Sequence, residues 1–155
     1  MKASALVASA LLVVLSGCGS MTGEKSGPQI IDTGNVQRLY QREWDLKGLT
    51  VDGRQVVMDV AGRTTISFGP DGQVAGFGGV NRFKGTYAVS AGGVLSWASP
   101  ALPMSRNAGP PELMEKERAF FEGLRKSNVA ILEKHTLILQ SDDSSTVLTF
   151  EEAGY

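Results

Sequence analysis

Cysteine and histidine each occur once in the 155 residues, as Cys18 and His135. One of each cannot furnish a Cys₄ or His₃ metal cage, a thiol pair or two separate histidine-dependent steps, and no metal or cofactor is expected. An excess of one charge is missing too. The 15 Lys+Arg face 16 Asp+Glu, a formal net charge of -1, which offers no electrostatic footprint for nucleic acid. No apolar run reaches the roughly 20 residues that a helix needs to cross a bilayer. The G-x-S-x-G pattern of a hydrolase nucleophile is absent. What is present is a 42% hydrophobic share in a chain of single-domain length, enough for one core.

The N-terminus carries an address. Met1-Lys2 precedes the apolar stretch Ala3 to Leu15, which ends in Ser16-Gly17-Cys18. That length suits the h-region of an export signal. Leu15-Ser16-Gly17-Cys18 resembles the lipobox of bacterial lipoproteins, a likeness that implies acylation of the Cys18 thiol and cleavage before it. Two or more acyl chains anchor a protein stably where one is marginal, so the chain is expected to meet the membrane through lipid on Cys18. By likeness to lipoprotein sorting in Gram-negative bacteria, Gly19 lacks the Asp that signals inner-membrane retention, which favours a periplasm-facing position on the outer membrane. Removing residues 1–17 takes away Lys2 and no acid, leaving 14 basic against 16 acidic side chains, a charge of -2. The mature chain then has no second cysteine for a disulfide.

Residues 18–38 read as the lipidated cysteine and a flexible spacer, small and polar in composition, and residues 39–155 as the folded domain. From Leu39 onward, short apolar alternations are broken by Asp52-Gly53, Asp71-Gly72 and Gly92-Gly93, a hairpin pattern. Ile66 with Phe68, Tyr87 with Val89, and Leu95 with Trp97 share strand faces, and Val129, Ile131, Leu137, Leu139, Leu148 and Phe150 continue the theme. The expected fold is mainly β (α+β), a small antiparallel barrel-like sheet of about eight strands with one helix packed on it. The helix is placed at Glu112 to Arg125, after Pro110-Pro111. Its apolar stripe holds Leu113, Met114, Phe120, Phe121 and Leu124, with Glu117 in the middle, where an unpaired carboxylate would be costly.

Three constellations suggest chemistry. Asp32-Thr33-Gly34 matches the short signature of aspartic proteases, in which two carboxylates share a proton. No second copy follows, so catalysis would need a dimer, and the plainer reading is a turn with Asp32 or Thr33 capping a short helix through Leu39. Gly76-Phe77-Gly78-Gly79-Val80-Asn81 looks like a phosphate loop but lacks the third glycine and the following helix. A strand that bends or approaches another backbone closely needs glycine equally. His135 falls in a turn between two strands.

The run Ile66-Ser67-Phe68, Asp71-Gly72-Gln73-Val74, Gly76 to Phe83 and Gly85-Thr86-Tyr87 is followed by Met104-Ser105-Arg106, Pro110 to Met114, Glu117, Phe120-Phe121 and Leu137-Ile138-Leu139. Together these resemble the META/HslJ family of bacterial envelope proteins over roughly residues 42–151. The resemblance implies a small barrel-like fold with one helix, and a link to stress or antibiotic tolerance, but no catalytic residues. It marks Gly78, Gly79, Asn81, Arg82, Phe83, Arg106 and Glu117 as motif residues, structural or partner-binding, with Arg82 or Arg106 as the expected partner of Glu117. Val80 and Gly109 stand where many relatives carry cysteines, which implies two positions close enough for a disulfide. The expected function is a lipid-anchored, non-enzymatic envelope domain binding an envelope protein or a small apolar ligand. The alternatives are an aspartic-type hydrolase using Asp32 and a purely structural envelope protein.

Overall fold

The computed structural model describes residues 27–58, 62–98 and 105–154; Cys18, the expected export signal and Met104 lie outside the described residues. Among the described residues, ten strands form one antiparallel sheet around a single α-helix. The strands are β1 (Gln29–Ile30), β2 (Glu43–Val51), β3 (Arg54–Gln55), β4 (Thr65–Phe68), β5 (Gln73–Phe77), β6 (Arg82–Val89), β7 (Leu95–Trp97), β8 (Val129–Glu133), β9 (Thr136–Gln140) and β10 (Val147–Glu152). Their order is β1-β8-β9-β10-β2-β4-β5-β6-β7, with β3 paired to β2 alone. β1 and β3 have two residues each; β4, β6, β7, β8, β9 and β10 hold the alternations read from the sequence, and β2 and β5 flank the expected Asp52-Gly53 and Asp71-Gly72 turns. The turns at Asp52-Gly53, Asp71-Gly72 and Gly92-Gly93 all join strands, and at each the second residue is a glycine with the positive φ that an L side chain resists.

The sheet curls into a half-barrel, and its ends are tied by a bridge between Val94 and Val129 and by the Leu95 N–H donating to the Asn128 carbonyl at 2.8 Å. One source of the curl is a bulge. Thr149 pairs with Gly48 and Phe150 with Leu46, so Lys47 is an extra residue that bends β2 and resets its alternation. Trp44 and Leu46 therefore face inward before it and Leu49 and Val51 after it.

The helix α1 runs from Pro111 to Lys126, one residue beyond the expected span at each end, with Pro111 in its first turn. It lies across β2, β9 and β10. Phe120, Phe121 and Leu124 are buried with Phe83, and Phe83 meets Phe121 edge-on at 5.2 Å between ring centres. Leu113 and Met114 are only half-buried, whereas Lys116 and Gly123 are buried, so the contact stripe is rotated from the expected one. Gly123 sets the closeness of approach: a Cβ there would lie 3.2 Å from the terminal carbons of both Leu49 and Leu148. Gly123→Val is expected to destabilise the fold by about 1–3 kcal/mol through overpacking, seen as a lower denaturant midpoint.

Ordered structure begins earlier than expected. Residues 27–38 do not behave as spacer, because β1 pairs with β8 and Ile31 is 0% exposed. The Ile31 N–H donates to the Ala130 carbonyl at 2.8 Å, an edge pairing that two residues of sequence are too short to advertise. The short helix through Leu39 exists as a 3₁₀ turn, Val36–Leu39. Its N-cap is Asn35, with no side-chain cap, instead of Asp32 or Thr33. β8 is apolar on both faces. Ala130 and Leu132 point into the core, leaving Val129 and Ile131 on the outer side.

Candidate functional site

β5 and β6 are joined by a tight turn in which the Gly78 N–H donates to the Asn81 carbonyl at 2.7 Å. Two residues, Gly79 and Val80, make the turn, and Gly79 has φ +117. Close backbone approach explains the neighbouring glycines, as the alternative to a phosphate loop required. A Cβ on Gly76 would stand 2.1 Å from the Thr65 carbonyl oxygen, and one on Gly78 would stand 2.7 Å from a carboxylate oxygen of Glu117.

That carboxylate is the centre of the site. Glu117 Oε2 accepts the N–H of Val80 at 2.9 Å and of Asn81 at 2.6 Å, and Oε1 accepts Asn81 Nδ2 at 2.7 Å. Asn81 then reaches a third segment. Its Oδ1 accepts Ser105 Oγ at 3.0 Å and the Asn107 N–H at 2.7 Å, while Nδ2 also donates to the Asn107 carbonyl at 3.3 Å. Asn81 and Glu117 are 2% and 4% exposed. The hairpin, the helix and the segment leading to the helix are thus pinned by one buried amide and one buried carboxylate, all of whose oxygens are hydrogen-bonded.

The pairing of Glu117 with Arg82 or Arg106 is corrected by this geometry. Both arginines are exposed, and among the described residues Glu117 enters no ion pair. A turn presenting two backbone N–H groups and an amide satisfies the charge without a cation. The motif therefore divides. Gly78, Gly79, Asn81, Phe83 and Glu117 are internal, and Arg82 and Arg106 face solvent. Arg82, with Lys84 and Glu43, borders an open cleft of about 610 Å³ floored by Ala75, Gly76 and Phe77.

Val80 and Gly109 meet as the resemblance implied. A Cβ on Gly109 would lie 3.5 Å from the Val80 Cβ, within the range of a disulfide. Asp32 sits in a turn, its Oδ1 accepting the Gly34 N–H at 2.7 Å and its N–H donating to Asn35 Oδ1 at 3.0 Å. His135 lies in the β8–β9 turn, with Nδ1 2.9 Å from Glu152 Oε2. Lys116 was not foreseen. It is 4% exposed, its Nζ donates to the Gly62 carbonyl at 3.0 Å, and burial lowers its pKa. Its place one turn before Phe120 on the helix was the available signal.

A curled antiparallel half-barrel packed against one helix, with a glycine hairpin pinned to that helix by a buried Asn–Glu pair, defines the class. The chain belongs to the META domain family, whose model matches residues 37–154. It is similar to a Burkholderia xenovorans protein solved by NMR, at 23% identity and a TM-score of 0.63, over 83% of this chain and 93% of that one. A second NMR structure is 26% identical with a TM-score of 0.54, covering 76% and 93% of the two chains. A DUF4847 family protein from Bacteroides vulgatus shares 14% identity and a TM-score of 0.54, covering 75% and 96%. No curated protein matches the chain.

Proposed function

We propose that this protein is a lipid-anchored domain of the bacterial envelope that acts by binding a partner, a protein or a small apolar molecule, and not by catalysis. The observation that carries the reading is the division of the motif: its one acid is fully hydrogen-bonded inside the fold, while Arg82 stands beside an open cleft floored by Phe77. A saturated carboxylate is poorly placed to move protons, whereas an apolar floor edged by Arg82 and Lys84 suits a ligand that is apolar with an anionic or polar end. The lipobox-like ending of the signal at Cys18 supports the anchor, and the stress-tolerance link implied by the family suggests when the domain is needed.

Cys18→Ala is expected to move the protein out of the membrane fraction, and the wild-type mature N-terminus is expected to carry acyl mass. Unchanged retention together with an unacylated wild type would refute the anchor. For the binding role, a photoreactive group at Lys84 in intact cells should trap a partner, with the yield reduced by Arg82→Ala at unchanged stability. Peptidase activity at acid pH that disappears in Asp32→Ala would replace this reading with the hydrolase.

A further inference from the structure

The outer face of the β8-β9-β10-β2 region has an unusual composition. One row across the sheet runs Val94, Val129, Gln140, Val147 and Thr50, and the next runs Ile30, Ile131, Ile138, Thr149 and Gly48. Their neighbours along the strands, among them Ala130, Leu132, Leu139 and Leu148, are buried, so both rows point outward. Neither contains a charged side chain, in a protein where 20% of residues are charged. Charges return at the borders of the face, at Glu133 and Glu151 in the following row, at Lys47 next to Gly48 on β2, and at Asp142 and Asp143 in the turn beyond Gln140 and Val147. Five strands at about 4.8 Å spacing make the face roughly 20 Å wide. Ile30 and Val94, two of the three large hydrophobic residues exposed among the described ones, lie at one side of it, both 56% exposed. They adjoin each other through Gly93, where a Cβ would meet the Ile30 Cγ2 at 2.6 Å.

We infer that this charge-free face rests on the lipid bilayer. The inference builds on the anchor proposed at Cys18. From Cys18 to Gly27, where the described chain starts, there are 27 − 18 = 9 residues, whose reach is at most about 32 Å in any conformation. Three residues later the chain is Ile30, on the face itself. The tether therefore enters the domain at this edge and holds it near the membrane. Charged groups lose hydration on approaching lipid whereas valine and isoleucine gain by it, so an uncharged face is the one that meets the interface at lowest cost. The acids of the mature chain, in excess by two, then stay in water.

The test uses the full acylated protein on phosphatidylcholine vesicles. Because the Cys18 thiol is acylated, a single added cysteine can be labelled with an environment-sensitive fluorophore, at Val94→Cys on the face or at Ala75→Cys. Ala75 is exposed on β5, separated from β8 by β9, β10, β2 and β4. A blue shift at position 94, quenched by nitroxide-labelled phosphatidylcholine, with neither effect at position 75, is the expected result. Adding Ile30→Asn to the Val94→Cys protein should reduce that quenching. Vesicle-bound protein with both labels in water would overturn the docking and leave the anchor standing. A blue shift at position 94 without lipid quenching would overturn it in favour of a second copy or another protein on this face. Failure of the protein to float with vesicles would overturn the anchor and the docking together.

Discussion

Glu117→Ala is expected to destabilise the fold on the order of 3 kcal/mol, well above the few tenths typical of surface changes. The substitution leaves the Asn81 N–H and one amide proton of the buried Asn81, together with the half-buried Val80 N–H, without their acceptor. Glu117→Gln should not restore stability fully. The Asn81 amide is held in one orientation because its oxygen already accepts Ser105 Oγ and the Asn107 N–H. A glutamine that keeps its oxygen toward the backbone would turn its own NH₂ toward the Asn81 NH₂, setting donor against donor. A double-mutant cycle between Glu117 and Asn81 should show strong coupling, and cycles with Arg82 or Arg106 should show none beyond about 0.5 kcal/mol. Coupling to either arginine of the size found with Asn81 would refute the assignment.

The second large effect runs in the opposite direction. Val80→Cys with Gly109→Cys is expected to form a disulfide in an oxidising compartment and to stabilise the protein by about 3 to 4 kcal/mol, from the closure of a loop of 109 − 80 = 29 positions. The geometry is favourable, with 3.5 Å between the Val80 Cβ and a Cβ built at position 109. Gly109 is also absent from the left-handed region that would penalise a cysteine. Space at this contact belongs to one side chain at a time. In the native chain the two γ carbons of Val80 would lie 2.8 and 2.9 Å from a Cβ on residue 109, so Gly109→Ala alone should cost about 1–3 kcal/mol and Val80→Ala should relieve it. Thiol titration and thermal unfolding of the single and double variants, with and without reductant, check both statements. Two persistently free thiols in the double mutant would refute the pairing.

Much of the architecture was legible in the residues. Period-two alternation located six of the strands, Asp-Gly turns marked the ends of β2 and β5, and proline followed by strong helix formers located α1 almost to the residue. Those signals are local, because a turn type or a helix start is decided by a few neighbouring dihedrals. The likeness running from Ile66 to Leu139 marked Asn81 and Glu117 as motif residues without pairing them with each other. What it lacked was the nature of the bond. An acid within an apolar helix stripe, in a motif that also holds two arginines, suggests an ion pair, but Arg82 at the start of β6 is exposed and Asn81, the residue just before that strand, is the buried one.

Residue composition by itself determined that the chain has no metal cage of cysteine or histidine and no excess of basic charge; its local patterns determined a single mainly β domain with one helix. Tertiary structure decided which apolar residues form the core and which form a surface. β8 is apolar on both faces, and only its pairing with β9 places Ala130 and Leu132 inside and Val129 and Ile131 outside. It also decided that Ile31 belongs to the core and that three segments distant in sequence meet at one carboxylate. Such choices rest on contacts between residues far apart along the chain, whose free energy appears only when the sheet curls and the helix closes on it.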